Sequence, residues 1–364
     1  MYNEIEKLFK PVFPPDSGTY VEVRGSRMKP TIRDVAKLAG VSISTVSRVM
    51  NAPETVVPEK RKRVQEAIEQ LQYQPNAFAR GLIYKKSETF GVMIPDIENP
   101  YYAGLLRGIQ DAAVKLNHSV IICNTDRDKN RMLAYARNLF EKQADGIIFA
   151  SDALFREFYD EMKRIRLPFV LVSTQAPEYD VPSVDIDNEQ AAYEAVRHLI
   201  ELGHEEIGMI CFPVAETISG APRLAGFQRA LREAGLDRSA SNVEYAAQRF
   251  EDAYEAAGRL FAMNPRITAV FAASDEFAMG TVMYARDHGR TVPDQLSVVG
   301  FDDIRMAHMF IPRLTTVEQP VYQMGVRAVQ KLHELVTNGK VAEMHERMPH
   351  RLIVRESTAG LRSS

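Results

Sequence analysis

TIRDVAKLAGVSISTVSRVMN, residues 31–51, reads as two short helices joined by a tight turn. Ile32, Val35, Ala36 and Ala39 fall at i, i+3, i+4 and i+7, one face of a helix. Thr31 stands at the N-cap and Asp34 three residues on, a capping-box-like start. Gly40 ends this helix. Ser42 or its neighbour restarts the chain into a second helix, Ser44–Met50, with Val46 and Val49 inward, and Asn51-Ala52-Pro53 stops it. Pro58 opens a third helix through Leu71, with Val64, Ile68 and Leu71 at helical spacing. Three short helices with a glycine turn between the first two are a helix-turn-helix arrangement.

Downstream of Phe90 the texture changes. Short apolar runs predict strands at Phe90–Ile94, Val120–Cys123, Gly146–Ala150, Phe169–Val172 and Ser183–Ile186. A second series follows at Ile207–Cys211, Val270–Ala273, Ser297–Phe301, Thr315–Val317 and Leu352–Val354. Between them lie amphipathic helices at Tyr101–Leu116, Asn130–Gln143, Glu189–Leu202, Arg223–Ala234, Ala253–Met263 and Glu276–Asp287. The alternation implies parallel sheets with helices on both faces. Two series predict two similar lobes, and the cleft faced by their strand ends is the natural ligand site.

Upstream, residues 1–27 contain the turn cluster Pro14-Pro15-Asp16-Ser17-Gly18 and little helical periodicity. They read as a flexible extension or a mis-called start. The chain has no run of about 18 apolar residues and no basic-then-apolar leader, so neither a membrane partner nor secretion is expected. Its two cysteines, Cys123 and Cys211, sit apart in apolar runs, which fits a reducing cytoplasm and argues against a disulfide scaffold or a metal site. Residues 28–86 hold 11 Lys/Arg against 5 Asp/Glu, whereas 87–364 hold 30 against 39. A basic head on an acidic body fits a polyanionic partner, and equally a solvated charged surface.

Residues 31–51 and YQPNAFARGL at 73–82 resemble the LacI-type family of bacterial transcription regulators. The match continues through GVMIPDIENPYYAGLLRGI (91–109), QADGIIFA (143–150), LIELGHEEIGMI (199–210), RLAGFQRAL (223–231), SDEFAMG (274–280), VPDQLSVVGFDD (292–303) and PRLTTVEQP (312–320). The nearest flavour is the catabolite-control and degradation-regulator branch. The resemblance implies an α plus α/β architecture: a three-helix helix-turn-helix head and hinge, then a two-lobed periplasmic-binding-protein-like body of parallel sheets flanked by helices. The head spans 28–74 and the hinge helix and linker 75–87. One lobe takes 88–188 with 320–346, the other 189–319 with 347–360.

A recognition helix presents a polar face to base edges while its back packs on the first helix. Arg48 can fork onto guanine, and Ile43 can touch a thymine methyl. Ser42, Thr45, Ser47 and Asn51 suit phosphate contacts, which fix register. By resemblance Ile43, Ser44 and Arg48 are base-reading positions, and Thr31, Ser42, Thr45, Ser47 and Asn51 contact the DNA backbone. An isolated Arg48 would read as a surface charge; the whole motif in frame changes that. The resemblance also implies minor-groove contacts from the hinge by Asn76, Ala79 and Leu82, with Leu82 wedged between base steps. Gly81 lowers intrinsic helicity, as suits a segment ordered on DNA.

In the body the resemblance implies effector contacts from Tyr101, Tyr102, Ser173, Arg223, Phe250, Asp275 and Asp302. Aromatic faces suit sugar C–H surfaces or a purine, and an arginine fork suits hydroxyl pairs or a carboxylate. Each also has a plain reading: the tyrosines as core packing, Asp275 and Asp302 as helix caps. The expected partners are double-stranded pseudo-palindromic operator DNA, a small polar effector (a carbohydrate above all) and a second copy of the chain. A homodimer matches a two-fold site, and no C-terminal heptad segment points to a tetramer. No cofactor and no catalytic residue is expected: GxSxG, HExxH and P-loop patterns are absent from the sequence. The alternative within the same class is a catabolite-control regulator gated by a phosphorylated phosphocarrier protein, with a surface near Arg305 and Met306 as its docking patch.

Overall fold

The computed structural model describes residues 30–73, 87–150, 153–236 and 242–361. These form two compact units divided near Asn76 and Ala77.

In the first unit α1 (Ile32–Ala39), α2 (Ile43–Asn51) and α3 (Pro58–Leu71) enclose a small core of Val35, Ala36, Ala39, Val46, Val49, Val56, Val64 and Ala67. The Thr31 backbone N–H and hydroxyl both donate to Asp34, at 2.9 and 2.7 Å, which holds the entry to α1. Gly40 takes φ +62, a left-handed conformation that glycine adopts without a Cβ penalty, and Val41 N–H closes back onto the Ala36 carbonyl. The second helix starts one residue earlier than the sequence pattern predicts. Ser42 is its cap, with its hydroxyl accepting from Thr45 N–H at 3.2 Å. Pro58 and Leu71 bound α3 as expected. A single 3₁₀ turn, Pro53–Thr55, links α2 to α3.

In the second unit β1 (Thr89–Ile94), α4 (Tyr101–Lys115), β2 (Ser119–Asn124), α5 (Lys129–Glu141), β3 (Gly146–Ala150), α6 (Arg156–Ile165), β4 (Phe169–Val172) and β5 (Ser183–Ile186) come first. Then follow α7 (Asn188–Glu201), β6 (Ile207–Cys211), α8 (Gly220–Glu233), β7 (Val243–Tyr245), α9 (Phe250–Met263), β8 (Ala269–Ala272), α10 (Asp275–Asp287), β9 (Ser297–Asp302) and β10 (Thr315–Glu318). The last elements are α11 (Val321–Asn338), β11 (His345–Met348) and β12 (Arg351–Ile353). The strands make two six-stranded sheets, ordered β11-β5-β4-β3-β1-β2 and β12-β10-β9-β8-β6-β7. The central strands are apolar on both faces, as sheets covered by helices on both sides require.

The chain crosses between the sheets at residue 187, at 319–320 and at 349–350. The last crossing explains the one departure from parallel pairing: β12 runs antiparallel to β10. With the carboxyl ends of both sheets facing one cleft, a chain leaving β11 at that end enters the second sheet there and runs away from it. Strand β11 continues through Met348, past residue 346 where the sequence reading ends the first lobe.

Helices α6 and α11 and strands β7 and β11 go beyond the sequence expectation. In α6 the core positions Phe158, Met162 and Ile165 keep helical spacing, but charged residues dilute the apolar signal. Strands β7 and β11 read VEY and HERM; each is an edge strand with no apolar run to find.

Candidate functional site

In each sheet the strand order reverses at one place, β1 beside both β2 and β3, and β6 beside both β7 and β8. Loops leaving the strand ends there splay apart and open a crevice. The cleft of this body lies there and is lined from neighbouring strand ends as well. Asn99, Tyr101 and Tyr102 follow β1, Arg127 follows β2, Ser173 follows β4, Asp185 lies in β5 and Asn188 opens α7. From the other sheet come Phe212, Glu216, Ser219 and Arg223 after β6, Gln248 after β7, Ser274 and Glu276 after β8, Asp302 and Ile304 from β9, and Gln319 after β10. The cavity measures about 60 Å³, room for a handful of waters at about 10–15 Å³ of centre volume each.

Arg223 is the centre of the arrangement. Its side chain is 5% exposed and its guanidinium lies 3.6 Å over the Phe301 ring. Nε donates to Asn188 Oδ1 at 3.0 Å, one terminal nitrogen donates to the Ala273 carbonyl at 2.5 Å, and the other lies 3.7 Å from Asp302 Oδ1. Asp302 also accepts from Gln319 Nε2 at 2.7 Å. Burial pushes its carboxyl up to about 6, and Arg223 pulls the other way. Burial likewise raises Asp185 to about 6, and burial together with the Asp302 charge raises Glu276 to about 7.

The backbone of the site is strained. Ser173 sits at φ +54, Asp302 at φ +112 and Asp303 at φ +53, conformations that L residues rarely adopt. The Ser173 hydroxyl lies 2.5 Å from the Tyr101 hydroxyl, and the Tyr101 and Tyr102 rings meet edge to face at 5.3 Å. Asn99 Oδ1 accepts from Tyr101 N–H at 2.9 Å, which fixes the start of α4 at the cleft.

The structure thus brings Tyr101, Tyr102, Ser173, Arg223 and Asp302 together. It does not bring Asp275 and Phe250 to the cleft wall. Asp275 is fully buried, with one oxygen accepting from Ile304 N–H at 2.8 Å and the other from the Thr316 hydroxyl at 2.6 Å. It anchors the loop that carries Asp302 from behind, and burial holds its carboxyl well above the usual range. Phe250, the first residue of α9, packs against the hydrophobic core. Their near neighbours Glu276 and Gln248 line the cleft instead. Helical register at α10 is the signal that separates Glu276 from Asp275: Ser274 caps the helix, so consecutive residues of its first turn point to different sides.

Across the mouth of the cleft Arg249 reaches from the second lobe to Asp96 and Glu98 of the first, at 3.2 and 2.6 Å. Arg127 donates across it to Gln248 at 3.3 Å. No sequence signal marks these pairs.

On the head, Ile43, Ser44 and Arg48 stand exposed on one side of α2 while Val46 and Val49 are buried on the other. Ile43 is 45% exposed. Arg48 makes no ion pair among the described residues. The Ser42 hydroxyl is shared with Ser44 and Thr45 at 2.8 and 2.9 Å, Ser47 is half-buried, and Thr31 is exposed at the start of α1. Asn51 is the last residue of α2. Asn76, Ala79 and Leu82 lie outside the described residues. Among the described residues no group of three or more His, Cys, Asp or Glu stands ready to hold a metal ion, and no helix is long and apolar enough to cross a membrane.

Two family models match the chain. Residues 31–76 match "Bacterial regulatory proteins, lacI family", and residues 87–356 match "Periplasmic binding proteins and sugar binding domain of LacI family". The chain belongs to the LacI family. It is a DNA-binding transcriptional regulator with a helix-turn-helix head and a two-lobed effector domain. The regulator is 40% identical to catabolite control protein A of Priestia megaterium, over 91% of its own length and all of that protein. It is 35% identical to a ribose operon repressor of Halalkalibacterium halodurans, over 91% and 97% of the two chains. Among solved structures it resembles the lac repressor dimer bound to operator and the anti-inducer ONPF, with TM-score 0.83 and 25% identity over 91% of this chain and all of that one. It also resembles a CelR–cellobiose complex, with TM-score 0.70 and 30% identity over 90% and 99%.

Proposed function

We propose that the regulator is a repressor that binds a pseudo-palindromic operator as a homodimer in the bacterial cytoplasm and releases or holds it according to a small polar effector in the cleft. The observation that carries the reading is the convergence of Arg223, Asp302, Tyr101, Tyr102 and Ser173 on one cavity between two lobes, in a chain whose head exposes Arg48, Ile43 and Ser44 on a single helix face. In this reading Arg48, Ser44 and Ile43 touch base edges, and Thr31, Ser42, Thr45, Ser47 and Asn51 hold the phosphates. Asn76, Ala79 and Leu82 enter the minor groove from the hinge. Carbohydrate fits the lining: hydroxyl groups meet carboxylates, amides and an arginine fork, and C–H faces meet Tyr101, Tyr102 and Phe212. The regulator does no chemistry on its ligand. Turnover of a bound compound would refute that.

The test is fluorescence-anisotropy binding to DNA from the gene's own upstream region, at two salt concentrations, with and without a panel of sugars. Specific binding shifted by one compound supports the reading and gives the sign of control. Loss of specific binding in every DNA tested would overturn the role of the head.

A second reading rests on the surface after β9. Arg305 and Met306 are exposed, and so are Met309 and Ile311 beside them, the last by 89%. An apolar patch with a cation on it suits a protein effector such as a phosphorylated phosphocarrier. Pull-down with the serine-phosphorylated carrier, in the presence and absence of operator, separates this reading from the first.

A further inference from the structure

The charges of the cleft narrow the chemistry of its ligand. Two cations line it and both are engaged. Arg223 is spread over Asn188, the Ala273 carbonyl, Asp302 and the Phe301 ring, and Arg127 donates to Gln248. Four carboxylates face them. Glu216 is taken up by the backbone N–H groups of Ile218, Ser219 and Gly220. Asp185 accepts from Ile186 N–H, and Asp302 from Gln319. Glu276 has no hydrogen bond and no ion pair among the described residues, although it is half-buried in the wall. Asp302 lines the same cavity and its charge repels that of Glu276, while Arg249, which attracts it, is held at the rim by Asp96 and Glu98.

A carboxylate left without a donor in a narrow cavity takes one from the ligand, and two carboxylates that repel each other are relieved by a cation between them. A phosphate or carboxylate there would meet a net negative wall whose arginines already have partners. We propose, resting on the effector role of the cleft, that the ligand is a polyhydroxylated amine, an amino sugar or aminopolyol, whose ammonium group sits between Glu276 and Asp302. The rest of the lining serves its hydroxyl groups and C–H faces: Asn99, Ser173 and Gln248 offer neutral donors and acceptors, and Tyr101, Tyr102 and Phe212 offer flat rings. Aromatic faces beside an ammonium add a cation–π attraction.

The probes are D-glucosamine, D-galactosamine and D-mannosamine, each with its parent hexose, its N-acetyl form and its 6-phosphate. Binding to the full chain is read by titration calorimetry at pH 7 and at pH 5. At least one amine is expected to bind about tenfold or more tightly than its parent and its N-acetyl form, with the 6-phosphate weaker still. The preference for the amine over its parent is expected to shrink at the lower pH, where the carboxylates that face the ammonium take up protons. Glu276→Gln is expected to cost the amine at least about tenfold more affinity than it costs the parent hexose, so that the preference for the amine is lost. The variant keeps the fold, since Glu276 makes no bond that the fold uses. A parent hexose or 6-phosphate that binds as tightly as the amine overturns the inference, and so does an amine preference that survives Glu276→Gln. Failure of all three amines overturns it too. A neutral sugar that still shifts operator binding would then leave the effector role of the cleft standing.

Discussion

Asp302→Asn tests whether the cleft is built at the expense of the fold. Asn keeps the shape of the side chain, keeps an oxygen for Gln319 Nε2, and tolerates the left-handed backbone at φ +112 almost as Asp does. What it removes is the charge. The sign follows from the two states. Below pH 3.8 the carboxyl is protonated whether the chain is folded or not. Between 3.8 and about 6 the folded protein keeps a proton that the unfolded chain has lost, so stability falls as pH rises through that window and the deficit is complete above it. The interval, at about 1.36 kcal/mol per pH unit, comes to about 3 kcal/mol. Asn, which mimics the protonated form, is therefore expected to raise stability at pH 8 by about 1–3 kcal/mol, or roughly 2–8 °C in melting temperature, and to add little at pH 4. Asp185 and Glu276 titrate in the same direction, so the comparison is variant against wild type at each pH. The chain has no tryptophan, so scanning calorimetry is the suitable readout. The same variant is expected to lose effector affinity by about ten- to a hundredfold, the worth of a charge-assisted hydrogen bond. Equal or lower stability at pH 8, or an unchanged dependence on pH, would refute the reasoning.

Three further outcomes are expected. Arg48→Ala costs about 1–3 kcal/mol of operator affinity and relaxes base preference at one position; a uniform loss across all sequences, read by anisotropy, would make Arg48 a phosphate contact instead. Gly300→Ala places a Cβ 2.3 Å from Asp275 Oδ1 and destabilises the body by about 1–3 kcal/mol. In the Asp275→Ala background the same change is expected to cost markedly less, and strict additivity in calorimetric melts would contradict the contact. Arg249→Gln removes the ion pairs across the cleft mouth, where Arg249 and Glu98 are exposed and Asp96 is half-buried, so the melting temperature stays within about a degree. The closed population falls instead, seen as a larger radius of gyration by X-ray scattering without ligand and weaker salt dependence of effector binding; an unchanged radius would argue against a latch.

Legibility in the sequence tracks the distance over which each feature is decided. Helix α3 is bounded by Pro58 and by the last apolar residue of its own pattern, Leu71, and both ends are readable locally. The central strands announce themselves because both of their faces are covered. Edge strand β11, HERM, pairs with β5 from 162 residues away and has no apolar signal, since its outer side meets no further strand. In the cleft, Arg223 and Asp302 are recognisable from RLAGF and GFDD. Glu276 is overshadowed by Asp275, whose buried position depends on Thr316 and Ile304, residues far along the chain. The pairing of Arg249 with Asp96 spans 153 residues and leaves no local trace. The strain at Asp302 is equally invisible, because Asp is common in loops and nothing in GFDD fixes the sign of φ.

One arrangement ties the charged residues of the cleft to the crossings between the lobes. Asn188 follows the first crossing and Gln319 lies at the second. Asn188 holds Arg223 Nε, Gln319 holds Asp302 Oδ1, and both amides are buried. Just before the third crossing, in β11, Arg347 pairs with Asp187 of the first at 3.0 Å. Arg223 and Asp302 are thus oriented by residues at the connections between the lobes. A ligand that draws Arg223 or Asp302 toward itself changes bonds that the crossings share, and a change in lobe angle changes how well those charges fit the ligand. That is a differential interaction with two closure states, the requirement for a ligand to shift an equilibrium at all. By linkage, whatever the effector does to operator affinity the operator does to effector affinity by the same factor. The strained backbone at Ser173 and Asp302 belongs to the same logic: groups held in sparsely populated conformations by surrounding bonds are the ones whose energy changes most when those bonds move.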